Sequence, residues 1–345
     1  MKKALMLALT VIMVASLVVG CAAPKVETTQ PSPAQTAAPS AEPAAPKVSF
    51  PDGKPITMIV PWSAGGGSDI GARMVQPYLE EYLHTTVNVI NPTGASGWVG
   101  WEQMLAGKAD GYTVAMVNFP TLMPGYLDPS LGRSHNLESF TMLANHVTDS
   151  SVIVIKNNDP RFSDLKSFVE YAKSKEVTAS TSGPGSDDHV LLETVNAKAG
   201  LKLTQVPGNG WKDGYAALLG GHIDSSIANV GEVMVPCNNG ELTCIAVFSD
   251  KRSDFMPDVP TWKEVMGTDI SVSSQRGFAC KAGTPQEIVD LLGEALKYAI
   301  TKEEQVKKMA ELGLAVDYIG STEYTKHLKN EEKTMMDMSE IMGWK

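Results

Sequence analysis

Short apolar runs alternate with longer amphipathic patterns from about residue 54 to the C-terminus. Apolar runs of about four to eight residues are typical of buried strands, and apolar positions three and four apart are typical of helices. The runs predict strands at residues 56–60, 87–90, 113–117, 151–155, 177–180, 223–228, 244–248 and 277–280. The amphipathic patterns predict helices at residues 69–83, 98–106, 164–174, 189–199, 214–219, 285–301, 303–312 and 322–338. This alternation predicts an α/β fold built from βαβ units, with largely parallel pairing.

Pro77 lies inside the first predicted helix. Proline lacks the N–H that a helix interior uses and collides with the carbonyl one turn earlier. We therefore expect this helix to bend around residues 73–77.

The N-terminal segment has the pattern of an export signal. Two lysines after Met1 precede an apolar run over residues 4–19, which is of marginal length for a membrane span. The stretch 17–21 ends in Cys21 and resembles a bacterial lipoprotein signal, which implies that residues 1–21 are the signal and that Cys21 is lipidated. A simple cleaved signal or a membrane anchor is the alternative. Residues 22–53 are rich in Ala, Pro, Thr and Ser, and this composition predicts a disordered tether.

Composition and charge exclude some classes of partner. Apolar residues make up 43% of the chain and charged residues 20%, so a sizeable core is expected. The net charge of -10 argues against a nucleic-acid partner, because phosphate binding needs clustered Lys and Arg.

Three cysteines besides Cys21 leave room for at most one bridge within the chain. Cys237 and Cys244 flank a turn and predict a short bridge, although the sequence leaves open whether Cys237 pairs with Cys244 or Cys280.

Two glycine-rich segments join a predicted strand to a predicted helix, at residues 61–69 and 180–189. Backbone N–H groups at a helix N-terminus attract anions, because the aligned peptide dipoles place partial positive charge there. Two such segments in different parts of the chain predict a cleft between two lobes. The alternative is that both segments are tight turns capped by Ser or Asp.

Several kinds of chemistry do not fit these segments. Ile70 stands where the dinucleotide fingerprint needs glycine, and no Gly-Lys-Ser/Thr follows for a phosphate loop. The stretch 94–98 lacks the last glycine of a nucleophile elbow. His222 and Asp224 alone are spaced like metal ligands, and such a pair is more often a surface turn. We therefore predict no catalytic residues, no metal and no cofactor.

The function that still fits the two segments is recognition of a small carboxylate by backbone amides and hydroxyl groups. Five short hydroxyl side chains lie in the two segments: Ser63, Ser68, Thr181, Ser182 and Ser186. Asp69 would repel a carboxylate, so we interpret it as a residue that locks the loop or pairs with the helix dipole.

Over residues 55–328 the chain resembles a known family, the solute receptors of tripartite tricarboxylate transporters (the TctC or Bug family). The motifs that carry the resemblance occur in the family's order at residues 56–69, 91–100, 110–113, 182–189, 218–224, 258–261 and 283–285. The resemblance implies a two-lobed periplasmic-binding-protein-like fold of type II, with two mixed, mostly parallel sheets and helices on both faces. Lobe 1 would comprise residues 54–148 and 251–345, and lobe 2 residues 149–250.

The resemblance also implies a binding site for one carboxylate, held between the two loops partly through water. The matching positions on the first lobe are Ser63, Gly65, Gly66, Gly67, Ser68 and Asp69. The matching positions on the second are Ser182, Gly185, Ser186 and His189. Thr121 and Asn229 are further candidates.

Two departures from the family pattern affect the pocket. Gly208 replaces an aromatic residue and predicts a larger or differently shaped distal end. Arg276 precedes the strand residue Gly277 and predicts an ion pair with a second ligand carboxylate. The alternative is that Arg276 is a surface residue at the end of a strand.

We therefore expect a monomeric, lipid-anchored receptor outside the cytoplasm, on the periplasmic side or the cell surface. It would bind a small organic carboxylate and deliver it to large and small membrane transporter subunits. The alternatives are a solute sensor with the same fold, or an exported enzyme with His189 as general base. The sequence does not name the carboxylate.

Overall fold

The strand–helix–strand units predicted from the sequence are present in the computed structural model, which describes residues 49–344. Its strands are β1 (Ile56–Ile59), β2 (Val87–Ile90), β3 (Thr113–Phe119), β4 (Phe140–Lys156), β5 (Val177–Thr181), β6 (Leu203–Pro207), β7 (Ser225–Asn229), β8 (Leu242–Val247), β9 (Ser273–Lys281) and β10 (Val316–Gly320). Its helices are α1 (Gly67–Leu83), α2 (Trp98–Ala106), α3 (Pro124–Leu127), α4 (Leu165–Ser174), α5 (Asp187–Ala199), α6 (Trp211–Leu219), α7 (Val230–Asn238), α8 (Trp262–Met266), α9 (Gln286–Thr301), α10 (Glu303–Glu311) and α11 (Ser321–Asp337).

The strands form one continuous mixed sheet in the order β2-β1-β3-β9-β4-β7-β5-β6, and β8 and β10 also pair with β4. The outer strands β1, β2 and β3 pair in parallel at one end, as do β5, β6 and β7 at the other. The central strands β4 and β9 pair antiparallel with all their neighbours. The mixed sheet agrees with the sequence, but parallel pairing is confined to the two outer parts.

Strand β4 connects the two halves of the sheet, because its 17 residues pair with β9 and β10 first and with β7 and β8 later. We call the β1–β3 end the first half and the β5–β7 end the second half. The two halves belong to one compact unit. The separate lobe boundaries expected from the sequence therefore remain a proposal.

The helices cover the sheet with their apolar faces. In α1, the buried residues Ala72, Val75, Leu79 and Leu83 recur three and four positions apart, and this face packs on α9. Pro77 lies on the exposed side of α1, and the helix continues through it to Leu83. This packing fixes where the N-terminus of α1 points.

The sequence did not predict β6, β10, α7, the short helices α3 and α8, or the first part of β4. Every residue of β10 is only partly buried, so β10 has no apolar run. The first part of β4 carries buried polar residues, including Asn145 and His146. Helix α7 contains Pro236, which lowers helix propensity. Tertiary packing, which a local pattern does not contain, stabilises each of them.

The three cysteines in the described region carry free thiols. The short bridge expected between Cys237 and Cys244 is therefore not formed, and the Cys244 thiol instead donates to the carbonyl oxygen of Ala246 at 3.7 Å. Within residues 49–344, no helix is both long and apolar enough to cross a membrane. Cys21, the signal and most of the predicted tether lie outside the described residues.

Candidate functional site

A cleft lies between the two halves of the sheet. Of the residues named from the sequence, it is lined by Ser63, Gly66, Gly67, Ser68, Ser182, Asn229 and Arg276. Residues that the sequence did not nominate also line it: Trp62, Asn118, Asp187, Gly210, Trp211, Lys212, Glu232 and Ser274. The cavity at its centre has a volume of about 30 Å³ and is partly open to solvent, so we expect the two halves to move apart to admit an organic ligand.

The first glycine loop brings the N-terminus of α1 to this cleft. Gly66 is the N-cap, and its lack of a side chain leaves the first turn without a side-chain cap. The first N–H groups of a helix have no partner inside the helix, so those of Gly67 and Ser68 remain available. This end of α1 is suited to bind an anion.

Ser68 adds a hydroxyl donor to this end of the cleft. Trp62 Nε1 donates to Asn118 Oδ1 at 2.7 Å, and Asn118 Nδ2 donates to Ser68 Oγ at 3.0 Å. Because Ser68 Oγ accepts from Asn118, its own proton remains for another acceptor. The network therefore orients Ser68 as a donor toward the cleft.

Asp69 holds the loop in shape from behind and does not line the cleft. Its carboxylate accepts from Gly65 N at 2.7 Å, Asn91 Nδ2 at 2.9 Å and Arg73 Nε at 3.0 Å. Burial alone would raise the pKa of Asp69, but these hydrogen bonds and the Arg73 charge lower it below its usual value. The loop-locking interpretation of Asp69 agrees with these contacts.

The N-terminus of α6 faces α1 from the second half of the sheet. Its N-cap, Gly210, also provides no side-chain cap, so the first turn presents unpaired amides to the cleft. Lys212 extends from this turn across to Gly65, against which its ammonium packs. Ser63 Oγ donates to Asn209 O at 3.4 Å and also joins the two sides. Two uncapped helix N-termini and one lysine thus converge on one end of the cleft.

Arg276 lies in the middle of the cleft and is 3% exposed. Its Nη2 donates to Asn229 Oδ1 at 2.9 Å, and its Nη1 lies 3.1 Å from Asp149 Oδ2. Nε has no hydrogen-bond partner within the described residues. The guanidinium also packs on Gly67, where an added Cβ would lie 2.8 Å from its Cζ. The surface alternative for Arg276 is therefore wrong, and its unpaired Nε donor is suited to an acceptor oxygen.

Four carboxylates surround this one guanidinium: Asp149, Asp187, Asp188 and Glu232. Burial raises the pKa of Asp149 to about 6, although the Arg276 charge opposes the rise. Burial likewise raises the pKa of Glu232 to about 7. The Arg276 charge opposes this rise, and the neighbouring carboxylates add to it. The pKa of Asp188 is also raised by burial and by Asp187. The second half of the cleft therefore carries more acid than base.

The second glycine loop, which the sequence placed opposite the first, contributes mainly Ser182 to the cleft. Ser182 Oγ donates to Asp188 Oδ2 at 2.8 Å, and Ser186 caps α5 by accepting from His189 N at 3.2 Å. His189 Nδ1 accepts from Gly185 N at 3.0 Å, and burial lowers the pKa of His189. Gly185, Ser186 and His189 thus shape the loop and lie outside the lining.

Thr121 also lies outside the lining, where its hydroxyl donates to Asp187 Oδ1 at 3.1 Å and joins the two halves. The sequence predicted most of α6 as a helix at residues 214–219 but did not assign it to the site, although Gly208 and Gly210 before it form a third glycine-rich junction. It also passed over Asp187, which begins α5 directly after the loop. Within the described region, no group of three or more His, Cys, Asp and Glu residues is arranged to hold a metal ion.

Comparisons with known proteins agree with this architecture. Protein BugT of Bordetella pertussis is 27% identical over 277 residues, which are 79% of this chain and 84% of BugT. The crystal structure of a TctC solute-binding protein from Polaromonas is 29% identical, with a TM-score of 0.62 over 84% of this chain and 98% of that one. MatC from Rhodopseudomonas palustris with bound malate is 21% identical, with a TM-score of 0.74 over 83% of this chain and 98% of MatC, and shows likeness of fold.

These likenesses confirm a periplasmic-binding-protein-like α/β fold with a mixed sheet. The sequence profile described as "Tripartite tricarboxylate transporter family receptor" matches residues 71–343. Because this match covers most of the chain, the protein belongs to the family of tripartite tricarboxylate transporter receptors.

Proposed function

We propose that this protein is an extracytoplasmic receptor that captures a small organic carboxylate and is not an enzyme. One observation carries the proposal: the uncapped N-termini of α1 and α6 meet at one end of the cleft together with Lys212. Each helix N-terminus carries about half a positive charge, so the two together offset one carboxylate. Ser68 supplies a directed donor at the same place.

The family and fold support a receptor. MatC, which has the same fold, holds malate, a dicarboxylate. The candidate general base for an enzyme, His189, accepts from Gly185 N and does not line the cleft. A receptor needs a ligand that stabilises the closed arrangement of the two halves, and a carboxylate between α1 and α6 would contact both halves.

The proposed partners follow from the family. A tripartite transporter has a large and a small membrane subunit, to which the closed receptor would deliver its ligand. We propose that the receptor acts as a monomer and is held at the membrane by a lipid on Cys21, with residues 54–148 and 251–345 as lobe 1 and residues 149–250 as lobe 2.

A thermal-shift screen of the purified protein tests carboxylate binding. We expect at least one compound from a panel of mono-, di- and tricarboxylates and amino acids to raise the melting temperature. A ligand at about 100 times its Kd adds about 2.7 kcal/mol to the free energy of unfolding. Lys212→Met should reduce the shift, whereas Lys175→Met, on the surface beyond α4, should leave it unchanged. If only neutral sugars or metal cations stabilise the protein, the proposal is wrong.

A further inference from the structure

Two Asn-Gly steps occur in the chain, at Asn209–Gly210 and at Asn239–Gly240. Asparagine is among the thermolabile residues of proteins. It is especially prone to deamidation before glycine, because glycine has no side chain to block the approach of its backbone nitrogen and lets the backbone turn toward the asparagine amide. These two steps are therefore the candidate sites of spontaneous modification.

The turn after α7 protects the second of these steps. Asn239 and Gly240 are exposed, but Gly240 N donates to Cys237 O at 2.9 Å and Asn239 Nδ2 donates to Glu241 Oε1 at 3.4 Å. The nucleophile of deamidation is the backbone nitrogen of the glycine after it has lost its proton. Because the hydrogen bond from Gly240 holds this proton in place, we expect Asn239 to react slowly.

The first step has neither of these two protecting contacts. Asn209 is exposed, and its backbone is held by Asp213 Oδ2, which accepts from its N at 2.9 Å, and by Ser63 Oγ, which donates to its O at 3.4 Å. Within residues 49–344, the Asn209 side-chain amide makes no hydrogen bond and the Gly210 N–H donates to no acceptor. The electrophile can therefore rotate while the nucleophile stays free.

The same step lies at the carboxylate end of the cleft. Gly210 is the N-cap of α6, lines the cleft and offers no side chain to cap the helix. Ser63 and Lys212 line this end too, and Ser63 contacts Asn209 directly. A negative charge created at residue 209 would therefore lie beside the amides and the ammonium that the proposed function assigns to the ligand carboxylate.

We propose that Asn209–Gly210 is a deamidation site and that its reaction inactivates the receptor. Gly210 N attacks Asn209 Cγ, so the N–Cγ bond of a succinimide forms, the Cγ–Nδ2 bond breaks, and ammonia leaves with the amide proton. Water then adds to one of the two succinimide carbonyls and opens the ring to aspartate or isoaspartate at residue 209. The modification follows from the local structure, whereas its effect on binding rests on the proposed function.

Both products weaken carboxylate binding for a physical reason. The new carboxylate is attracted by the α6 N-terminus and by Lys212, and it repels a ligand carboxylate in the same cleft. Isoaspartate also adds a methylene to the backbone, which displaces Gly210 from its place at the start of α6. Neither product should unfold the protein, because a negative charge before a helix N-terminus stabilises the helix.

Peptide mass spectrometry of the full chain tests the preferred site. The purified protein is incubated in mildly alkaline and, in parallel, in mildly acidic buffer, and is then digested under acidic conditions. We expect deamidation at Asn209 to be at least about fivefold faster than at Asn239, which is the effect of one backbone hydrogen bond. It should be faster in the alkaline buffer, because the attacking nitrogen must lose its proton. Equal or faster reaction at Asn239 would overturn the proposal.

Calorimetry on fresh and incubated samples tests the effect on binding. The probe is whichever of butanoate, malate, glutamate and citrate raises the melting temperature of the fresh protein most. We expect Asn209→Asp to bind this probe at least about tenfold more weakly than the fresh wild type, with no fall in melting temperature. Asn209→Gln, whose longer side chain closes the ring poorly, should keep its initial affinity throughout the incubation. Asn239→Gln, the matched control, should lose affinity as fast as the wild type.

The outcomes separate this proposal from the proposed function. If Asn209→Asp binds the probe as tightly as the fresh wild type, the inactivation is wrong while the receptor function stands. If none of the four compounds binds the fresh protein, the proposed function fails and the inactivation fails with it. The mass spectra decide between the two Asn-Gly steps in either case.

Discussion

Adjacent glycines in the first loop serve different purposes. At Gly67, an added Cβ would lie 2.8 Å from Arg276 Cζ, so this glycine makes room for the guanidinium. At Gly66, the nearest atom to an added Cβ is Ser63 O at 3.4 Å, and the backbone is extended with φ −79° and ψ 171°. The fold therefore tolerates a side chain at Gly66, which lines the cleft, better than at Gly67.

Gly66→Val should abolish or strongly weaken carboxylate binding while the protein stays folded. The new side chain would occupy the space in front of the α1 amides, and we expect the free energy of unfolding to change by no more than about 1 kcal/mol. Calorimetry measures the affinity, and urea unfolding measures the stability. Gly293→Val is the control, since no atom lies within 4 Å of its added Cβ. Unchanged affinity in Gly66→Val would remove the first loop from the site.

The acidic residues around Arg276 make stability depend on pH. The pKa of Asp149 is raised from 3.8 to about 6 and that of Glu232 from 4.5 to about 7 by burial. Asp187, Asp188 and Arg276 face the same cluster. Between about pH 4 and pH 7 these acids hold protons in the folded protein that the unfolded chain has released, so their contribution to the free energy of unfolding falls as pH rises through this window. His146, whose pKa burial lowers to about 3, acts in the opposite direction below about pH 6.5. Acids with a lowered pKa, such as Asp69, change the free energy of unfolding only below about pH 4.

We expect Glu232→Gln to flatten this dependence. Glutamine keeps an oxygen for the Asn229 N–H but carries no charge to desolvate, so the stability lost between about pH 5 and pH 7.5 should shrink. Urea unfolding at the two pH values measures the difference. Glu170→Gln, on the exposed face of α4, should behave like the wild type. Equal pH dependence in Glu232→Gln and the wild type would contradict the assignment.

At the scale of single elements, α1 shows how tertiary packing overrides a local signal. Proline in a helix interior costs about 3 kcal/mol or more, yet α1 continues from Gly67 through Pro77 to Leu83. Its buried face of Ala72, Val75 and Leu79 provides the compensating stabilisation. The bend expected around residues 73–77 stays a prediction.

Pro77→Ala should therefore stabilise the protein. Alanine restores the hydrogen bond to the Arg73 carbonyl and removes a steric conflict on the exposed side of α1, and a gain of about 1 kcal/mol or more in the free energy of unfolding is expected. Urea unfolding measures the gain. Pro285→Ala is the matched control, because Pro285 is the N-cap of α9 and interrupts no helix. A lower stability of Pro77→Ala than of the wild type would show that the proline is accommodated without cost.

Elements with a strong apolar pattern were predictable, and those stabilised by distant partners were not. Residues 87–90 and 98–106 have the bounds predicted for β2 and α2. By contrast, residues 140–150 of β4 alternate poorly, and they form a strand because β9 pairs along them. Helix α7 begins at a capping box between Asn229 and Glu232, and Asp149 also accepts from Gly231 N at 3.2 Å. A partner 82 positions away in the chain is invisible to a local pattern.

At the scale of the whole molecule, short polar contacts hold the two sides of the cleft together. Ser96 Oγ donates to Pro184 O at 2.6 Å, and Thr121 pairs with Asp187. The first contact is exposed and the second is buried, and we expect both to break when the two sides separate to admit a ligand. This arrangement suits a receptor that opens and closes around its ligand.

The proposed attachment to the membrane through Cys21 is also tested on the whole chain. We expect Cys21→Ser to move the protein from the membrane fraction to the soluble fraction of cells, because the thiol that would carry the lipid is absent. Immunoblots of fractionated cells measure the distribution. Cys237→Ser, in α7, is the control and should stay with the membrane. If Cys21→Ser also stays in the membrane fraction, the proposal of a lipid anchor on Cys21 is wrong.

The sequence by itself determined the α/β class, the family and the first glycine loop, because these depend on local patterns and on motifs in a fixed order. Only the tertiary structure decided which groups face that loop. It brings α6 opposite α1 and gathers Asp187, Glu232 and Arg276 in one cleft with Asp149 behind Arg276, although they come from separate elements. The physical reason is the sheet order, in which β9, β4 and β7 are neighbours in space but distant in the chain.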